Sequence, residues 1–186
     1  MSSRPGWDET WLDVATDVAR RSLCTRDRVG AVIVTERNRI VATGYNGPPR
    51  AFRHDEQPCV DWCPRARQAL ANRQVDDLHV GVFTTPLSPS YDDCPSLHAE
   101  ANALSVCDRS AREGGTIYVT SHTCSACAKL VANSGLRRIV VLHRPGFAHR
   151  NPVEHYEFLV RCMITVTIYD EYNRILTRDT FEPQDD

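Results

Sequence analysis

The sequence predicts an α/β fold in which helices cover both faces of a mixed five-stranded sheet whose last two strands are parallel. Three observations carry that reading. Apolar runs rich in β-branched residues alternate with amphipathic stretches in the order helix, hairpin, helix, strand, helix, strand, helix, strand. The last two strand-like runs stand about twenty residues apart with a helical stretch between them, which suits a parallel crossover because an antiparallel pair needs only a tight turn. A chain of 186 residues makes one ordinary domain and is too short for two independent cores.

The elements follow in order. From about Asp8 to Leu23, Trp11, Val14, Ala15, Val18 and Ser22 share one face, with Asp17, Arg20 and Arg21 opposite, so the segment is an amphipathic helix. Val29 to Val34 and Arg39 to Thr43 are apolar, β-branched runs joined by Glu36-Arg37-Asn38, a hairpin. Two glycines and two prolines make Gly44 to Pro49 a loop. Residues 53–93 read as an insertion in which only Trp62 to Asn72 suits a helix. Such long irregular stretches are functional, metal-stapled or disordered. Regularity returns with a helix over Leu97 to Arg112, closed by Gly114-Gly115, and a strand over Thr116 to Thr120. A helix over Cys124 to Asn133, a strand over Arg138 to Leu142, a helix over Pro152 to Cys162 and a strand over Ile164 to Tyr169 complete the pattern. The chain therefore reads as a single domain over residues 1–186 with a frayed acidic tail from about residue 180.

Composition narrows the function. Apolar residues make up 41% and charged residues 25%, enough to fold. No stretch approaches the roughly 20 apolar residues that span a bilayer. Met1 to Asp8 lacks a secretory apolar core, so a cytoplasmic location is expected, or a host's cytoplasm if a phage encodes the chain. The 22 basic residues against 24 acidic ones leave a formal charge of -2, which favours a small substrate over a polynucleotide. Eight cysteines in such a chain read as metal ligands or buried thiols before disulfides.

Spacing singles out two segments, each at a predicted helix start: His98-Ala99-Glu100 and Cys124-Ser125-Ala126-Cys127. Cysteines at i and i+3 share a helical face, and the partial positive charge of a helix N-terminus favours the thiolate that zinc requires. His98, Cys124 and Cys127 thus supply three ligands and leave the fourth position open, as in a catalytic rather than a structural site. Glu100, two residues beyond His98, points elsewhere on a helix and is placed to move the protons of the water at that position.

These segments resemble the zinc-dependent deaminases, whose signature is His-x-Glu followed by Cys-x-x-Cys. The finer likeness is to deoxycytidylate (dCMP) deaminases. It rests on Cys24-Thr25-Arg26-Asp27-Arg28-Val29-Gly30-Ala31-Val32-Ile33-Val34, Thr43-Gly44-Tyr45-Asn46-Gly47-Pro48-Pro49, His98-Ala99-Glu100-Ala101-Asn102-Ala103 and Cys124-Ser125-Ala126-Cys127-Ala128-Lys129. The resemblance implies a cytidine-deaminase-like three-layer α/β/α fold and hydrolysis of dCMP to dUMP, which feeds thymidylate synthesis. Water activated by zinc would attack the carbon bearing the amine, with Glu100 as proton shuttle. It further implies that Asn46 contacts the sugar hydroxyl and, as a weaker candidate, that Arg26 binds the 5′-phosphate. A homo-oligomer, commonly a hexamer, activated by dCTP and inhibited by dTTP, is also implied. Some relatives hold a second, structural zinc, for which Cys59, Cys63 and Cys94 are the candidates here, with His54 or Cys24 as a fourth ligand. Thr123 stands where the family usually has proline, and threonine is itself a good N-cap.

Rival readings share parts of this pattern. A tRNA adenosine deaminase has the same zinc site, but Asn102 and the absence of a basic excess argue against it. A deaminase of a modified cytosine nucleotide, 5-methyl- or 5-hydroxymethyl-dCMP, is left open by Thr123 and by His143-Arg144-Pro145-Gly146-Phe147 after the fourth strand. A non-catalytic nucleotide sensor would not need Glu100. The plainer reading of Asn46 is a turn asparagine and of Arg26 a solvated cation. Cys107, Cys162, Trp7, Trp11 and Val14 read as core, and His79, His143, His149 and His155 as surface or satisfied polar groups.

Overall fold

The computed structural model describes residues 4–50, 52, 63–67, 94–144 and 152–170. Helix α1 (Trp7–Ala19) leads into strands β1 (Gly30–Val34) and β2 (Ile40–Tyr45), followed by the short helices α2 (Ala99–Ser105) and α3 (Arg109–Arg112). Then come β3 (Thr116–Val119), α4 (Ser125–Ala132), β4 (Arg138–His143), α5 (Pro152–Arg161) and β5 (Thr165–Asp170). The strands form one sheet in the order β2-β1-β3-β4-β5. β1 pairs antiparallel with both β2 and β3, whereas β3–β4 and β4–β5 are parallel. The expected mixed sheet is therefore present, with one more parallel pair than the spacing predicts. Among the described residues no helix is long and apolar enough to cross a membrane.

Period-two alternation divides the strands between two cores. Ala31, Ile33, Ile117, Val119, Ile139 and Val141 face α2, α4 and α5. Val32, Val34, Tyr118, Val140 and Leu142 face α1 through Trp11, Leu12 and Ala15. This is the three-layer arrangement. The two parallel connections, through α4 and α5, lie on the same face, as right-handed crossovers running in one direction along a sheet must.

Four expectations are corrected. Helix α1 ends at Ala19, not Leu23, because the Arg20, Arg21 and Ser22 amides turn back to Asp17, Val18 and Ala19 and the Ser22 hydroxyl donates to the Asn46 carbonyl at 2.8 Å. Gly44 and Tyr45 belong to β2 rather than to a loop, paired with Ala31 and Gly30. The single helix over Leu97 to Arg112 is broken at Val106 to Asp108. There the Arg112 guanidinium donates to the Leu104 and Cys107 carbonyls, partners that a continuing helix would have supplied from its own backbone. Trp7 is half exposed and lies outside the core, stacked on the buried Trp11 with ring centroids 5.4 Å apart. Cys107 is buried and Cys162 packs against the same core, as expected. Residues 64–67 form a helical turn within the expected helix, whose other residues lie outside the described ones, as do His79, His149 and the tail.

Two glycines set the distance between layers. A Cβ on Gly30 would stand 2.0 Å from the Ala15 carbonyl oxygen, and one on Gly44 would stand 2.3 Å from the Ala99 carbonyl oxygen and 2.4 Å from the Ala103 nitrogen. Backbone thus meets backbone on both faces. At the lower end Asp8 forms a bidentate ion pair with Arg138 at 2.7 and 2.8 Å and accepts from the Tyr118 hydroxyl at 2.8 Å. Arg138 also donates to the Thr167 hydroxyl, so α1 is tied to three strands. Gly44→Ala is expected to destabilise the protein by about 3 kcal/mol in chemical denaturation, the upper range for overpacking, because the obstructing atoms are backbone. An unchanged midpoint would show that α2 can retreat from the sheet without cost.

Candidate active site

Two helix-leading segments meet at the end of the sheet where the parallel strands finish. On one side Leu97 and Gly47 exchange backbone hydrogen bonds of 2.8 and 3.1 Å, which fix the approach to α2. His98 is then the extended N-cap residue of α2, and Glu100 lies in its first turn. On the other side the chain leaves β3 through Thr120, whose hydroxyl accepts from the Gly30 amide at 3.0 Å. Cys124 is the N-cap residue of α4 and Cys127 lies in its first turn. Thr123 does not serve as the cap: Cys124 occupies that place, and the buried Thr123 hydroxyl has no hydrogen-bond partner among the described residues.

These segments bring their side chains together. His98 Nδ1 lies 3.3 Å from Cys124 Sγ and 3.5 Å from Cys127 Sγ. Among the described residues these three form the one group of His, Cys, Asp or Glu side chains with all ligand atoms within 4.8 Å of one another. Charge is divided unequally within it. A hydrogen bond from Cys127, aided by His98, pulls the Cys124 thiol down to about 3, despite burial. The Cys124 sulfur, burial and the negative charge of Glu100 push the Cys127 thiol upward. Two sulfurs, of which one is readily a thiolate, and an imidazole nitrogen make a donor set suited to zinc. Glu100 is 3% exposed, and its carboxylate is close enough to be felt electrostatically at Cys127 but is not one of the cluster's ligands.

A cavity opens beside the cluster. It is lined by His98 and Glu100 together with Arg26, Asn46, Ser121 and His122. The Asn46 side chain knits the cavity wall: its Oδ1 accepts from the Val29 amide and its Nδ2 donates to the Asp27 carbonyl, both at 2.8 Å. One amide hydrogen and one lone pair are left over by those two bonds. Arg144 pairs at 3.9 Å with Asp27, a residue of the cavity wall.

Of the other cysteines, Cys24 and Cys94 line this cavity and pack against the buried Cys63 and Ala66. Burial raises the Cys94 thiol. Cys24, Cys63 and Cys94 do not draw three sulfurs within the spacing of the first cluster. His54 and Cys59 lie outside the described residues. His122 and Tyr156, both buried, were not among the site residues singled out in the sequence. The signal for them is weak, since His122 stands two residues before Cys124 and Tyr156 lies in a distant helix.

Known proteins match this chain in the same segments. The family model for the cytidine and deoxycytidylate deaminase zinc-binding region matches residues 5–143. The deoxycytidylate deaminase of Mycobacterium phage D29 is 44% identical over 138 residues, 74% of this chain and 95% of that protein. That of Saccharomyces cerevisiae is 32% identical over 165 residues, 88% of this chain and 45% of the yeast protein, so the chain spans about half of that longer relative. Among solved structures, the dCMP deaminase of cyanophage S-TIM5 in complex with dCMP and dUMP superposes with a TM-score of 0.60 at 21% identity, over 90% of this chain and 99% of that one, and shares the fold. With both ligand segments inside the matched region and their side chains converging as the signature requires, the chain belongs to the cytidine and deoxycytidylate deaminase family.

Proposed function

We propose that the protein hydrolyses dCMP to dUMP and ammonia in the cytoplasm. The observation that carries this reading is the buried Glu100 carboxylate beside the His98, Cys124 and Cys127 cluster, opening on a cavity that also holds Arg26 and Asn46. His98, Cys124 and Cys127 would hold a zinc ion, which would supply Lewis acidity for activating water near neutral pH. Glu100 takes one proton from the attacking water and delivers it to the ring nitrogen, then carries that water's second proton to the amine, which leaves as ammonia. Burial shields the carboxylate from bulk water, which makes its proton transfers depend on the substrate. Asn46 offers its remaining amide hydrogen and lone pair to the sugar hydroxyl. Arg26 offers its planar fork to the 5′-phosphate.

We further infer a second, structural zinc on Cys59, Cys63 and Cys94, with His54 or Cys24 as the fourth donor. The packing of Cys24, Cys63 and Cys94 in one cluster supports it. A homo-oligomer, hexameric as in the family, and a dCTP or dTTP effector belong to the same proposal. A groove lined by Arg20, Arg21 and Arg50 beside Tyr45 and Asn102 offers the positive charge a triphosphate needs.

Glu100→Ala should keep its metal and lose at least about a hundredfold in kcat on dCMP, the scale of general acid–base catalysis. Near-normal turnover in that variant would remove the proposed proton carrier. An ammonia-release panel over deoxycytidine, dCMP, dCTP, 5-methyl-dCMP and a tRNA anticodon loop tests the substrate: dCMP should lead. Preference for the methylated nucleotide or for RNA would replace the assignment. Arg26→Ala should raise KM for dCMP at least about tenfold, the loss of a charged hydrogen bond, and leave turnover of deoxycytidine as it was. Metal analysis should find about two zinc atoms per chain, falling to about one in the Cys63→Ser, Cys94→Ser double variant.

A further inference from the structure

The loop that delivers Cys124 is gripped from behind by side chains with no part in metal binding. His122 is 7% exposed and both of its ring nitrogens are engaged: Nδ1 with the Tyr156 hydroxyl, and Nε2 with His143 Nδ1 at 2.8 Å. One residue on, the Thr123 carbonyl accepts from His155 Nδ1 at 3.0 Å. Two consecutive residues of α5 and the last residue of β4 therefore hold two consecutive residues of the loop. His122 lines the catalytic cavity, yet both of its nitrogens are engaged by neighbouring side chains, so neither is spare to take a metal. Tyr156 is 1% exposed, and besides burial the negative charge of Glu100 raises its phenol, so the hydroxyl lies within electrostatic reach of the catalytic carboxylate.

We propose that Tyr156 is a positioning residue for the deamination, acting through His122 to hold the Cys124 loop in register with Glu100. The proposal rests on the deaminase reading above. Glu100 rides on α2 and Cys124 on α4, and among the described residues no regular backbone ladder joins the two starts. The Tyr156 hydroxyl reaches the loop through His122, two residues before Cys124, and His122 lines the same cavity as His98 and Glu100. Generic docking of α5 would be served by the ring alone, which already packs in the core with Leu159.

Tyr156→Phe keeps the ring and removes the hydroxyl. The expected result is a fall in kcat on dCMP and faster loss of zinc to a chelator, each about tenfold, the range seen when a hydrogen bond behind a metal ligand is removed, with KM within about twofold. The paired variants His122→Asn and His122→Gln separate the two arms, since an asparagine amide can stand in for Nδ1 toward Tyr156 and a glutamine amide for Nε2 toward His143. The asparagine variant should retain more of kcat and of zinc retention than the glutamine variant. Parental kcat and zinc release in Tyr156→Phe would overturn the proposal, as would kcat, KM and melting temperature moving together in all three variants. If Tyr156→Phe does not fold, the ranking of the His122 pair decides, and a glutamine variant equal to or better than the asparagine one overturns the proposal. Absence of deamination by the parent protein would instead sink the functional reading, while chelator release still judges the clamp.

Discussion

The active site depends on a contact between two stretches of bare backbone, Gly44 of β2 beneath the first turn of α2. Only a residue without a side chain allows the Ala99 carbonyl and the Ala103 amide to rest on the strand. That approach seats His98 and Glu100 against the sheet edge. Small residues continue the same logic beside it: Ala99, Ala103 and Ala128 are all essentially inaccessible, so α2 and α4 can lie close on one face. Short imidazole and thiol side chains from different helices can then converge to 3.3 and 3.5 Å. Larger residues along this seam would separate the ligands before any chemistry was altered.

Polar groups are buried where they serve this convergence. Ser22 ties the end of α1 to the backbone of Asn46, Asn46 ties Val29 and Asp27, and Thr120 ties Gly30. Each bond crosses from one element to another near the cavity, while the two faces of the sheet are filled by apolar side chains. The stabilising polar anchor of Asp8 and Arg138 lies at the opposite end of the strands, away from the reacting groups. The molecule thus separates a dry, packed body from a polar rim at the strand ends, the place where an α/β sheet commonly binds its ligand. Glu100 breaks the usual burial preference of its residue type, as groups at sites in otherwise consistent folds tend to do.

Much of this was legible in the residues. Continuous apolar, β-branched runs in Val29 to Val34 and Arg138 to Leu142 mark strands with both faces covered, and the structure agrees. The candidate metal ligands are legible because their chemistry is local: two cysteines one helical turn apart need no long-range information to share a face. Helix ends are less legible. The break between α2 and α3 depends on Arg112 reaching back to carbonyls, and the extension of β2 through Gly44 depends on pairing with β1. Neither partner is adjacent in the chain, so apolar spacing carries no trace of them.

The sequence alone determined the class of fold and singled out a candidate donor set with a carboxylate, because each follows from residue type and short-range periodicity. Tertiary structure decided everything that needs two distant segments at one point. It set the 3.3 Å meeting of His98 with Cys124, drew Asn46 into the cavity wall rather than a free turn, and placed Tyr156 behind the cysteine loop. The physical reason is that side-chain hydrogen bonds and close backbone contacts act over a few ångströms of space, whatever the number of residues between the partners.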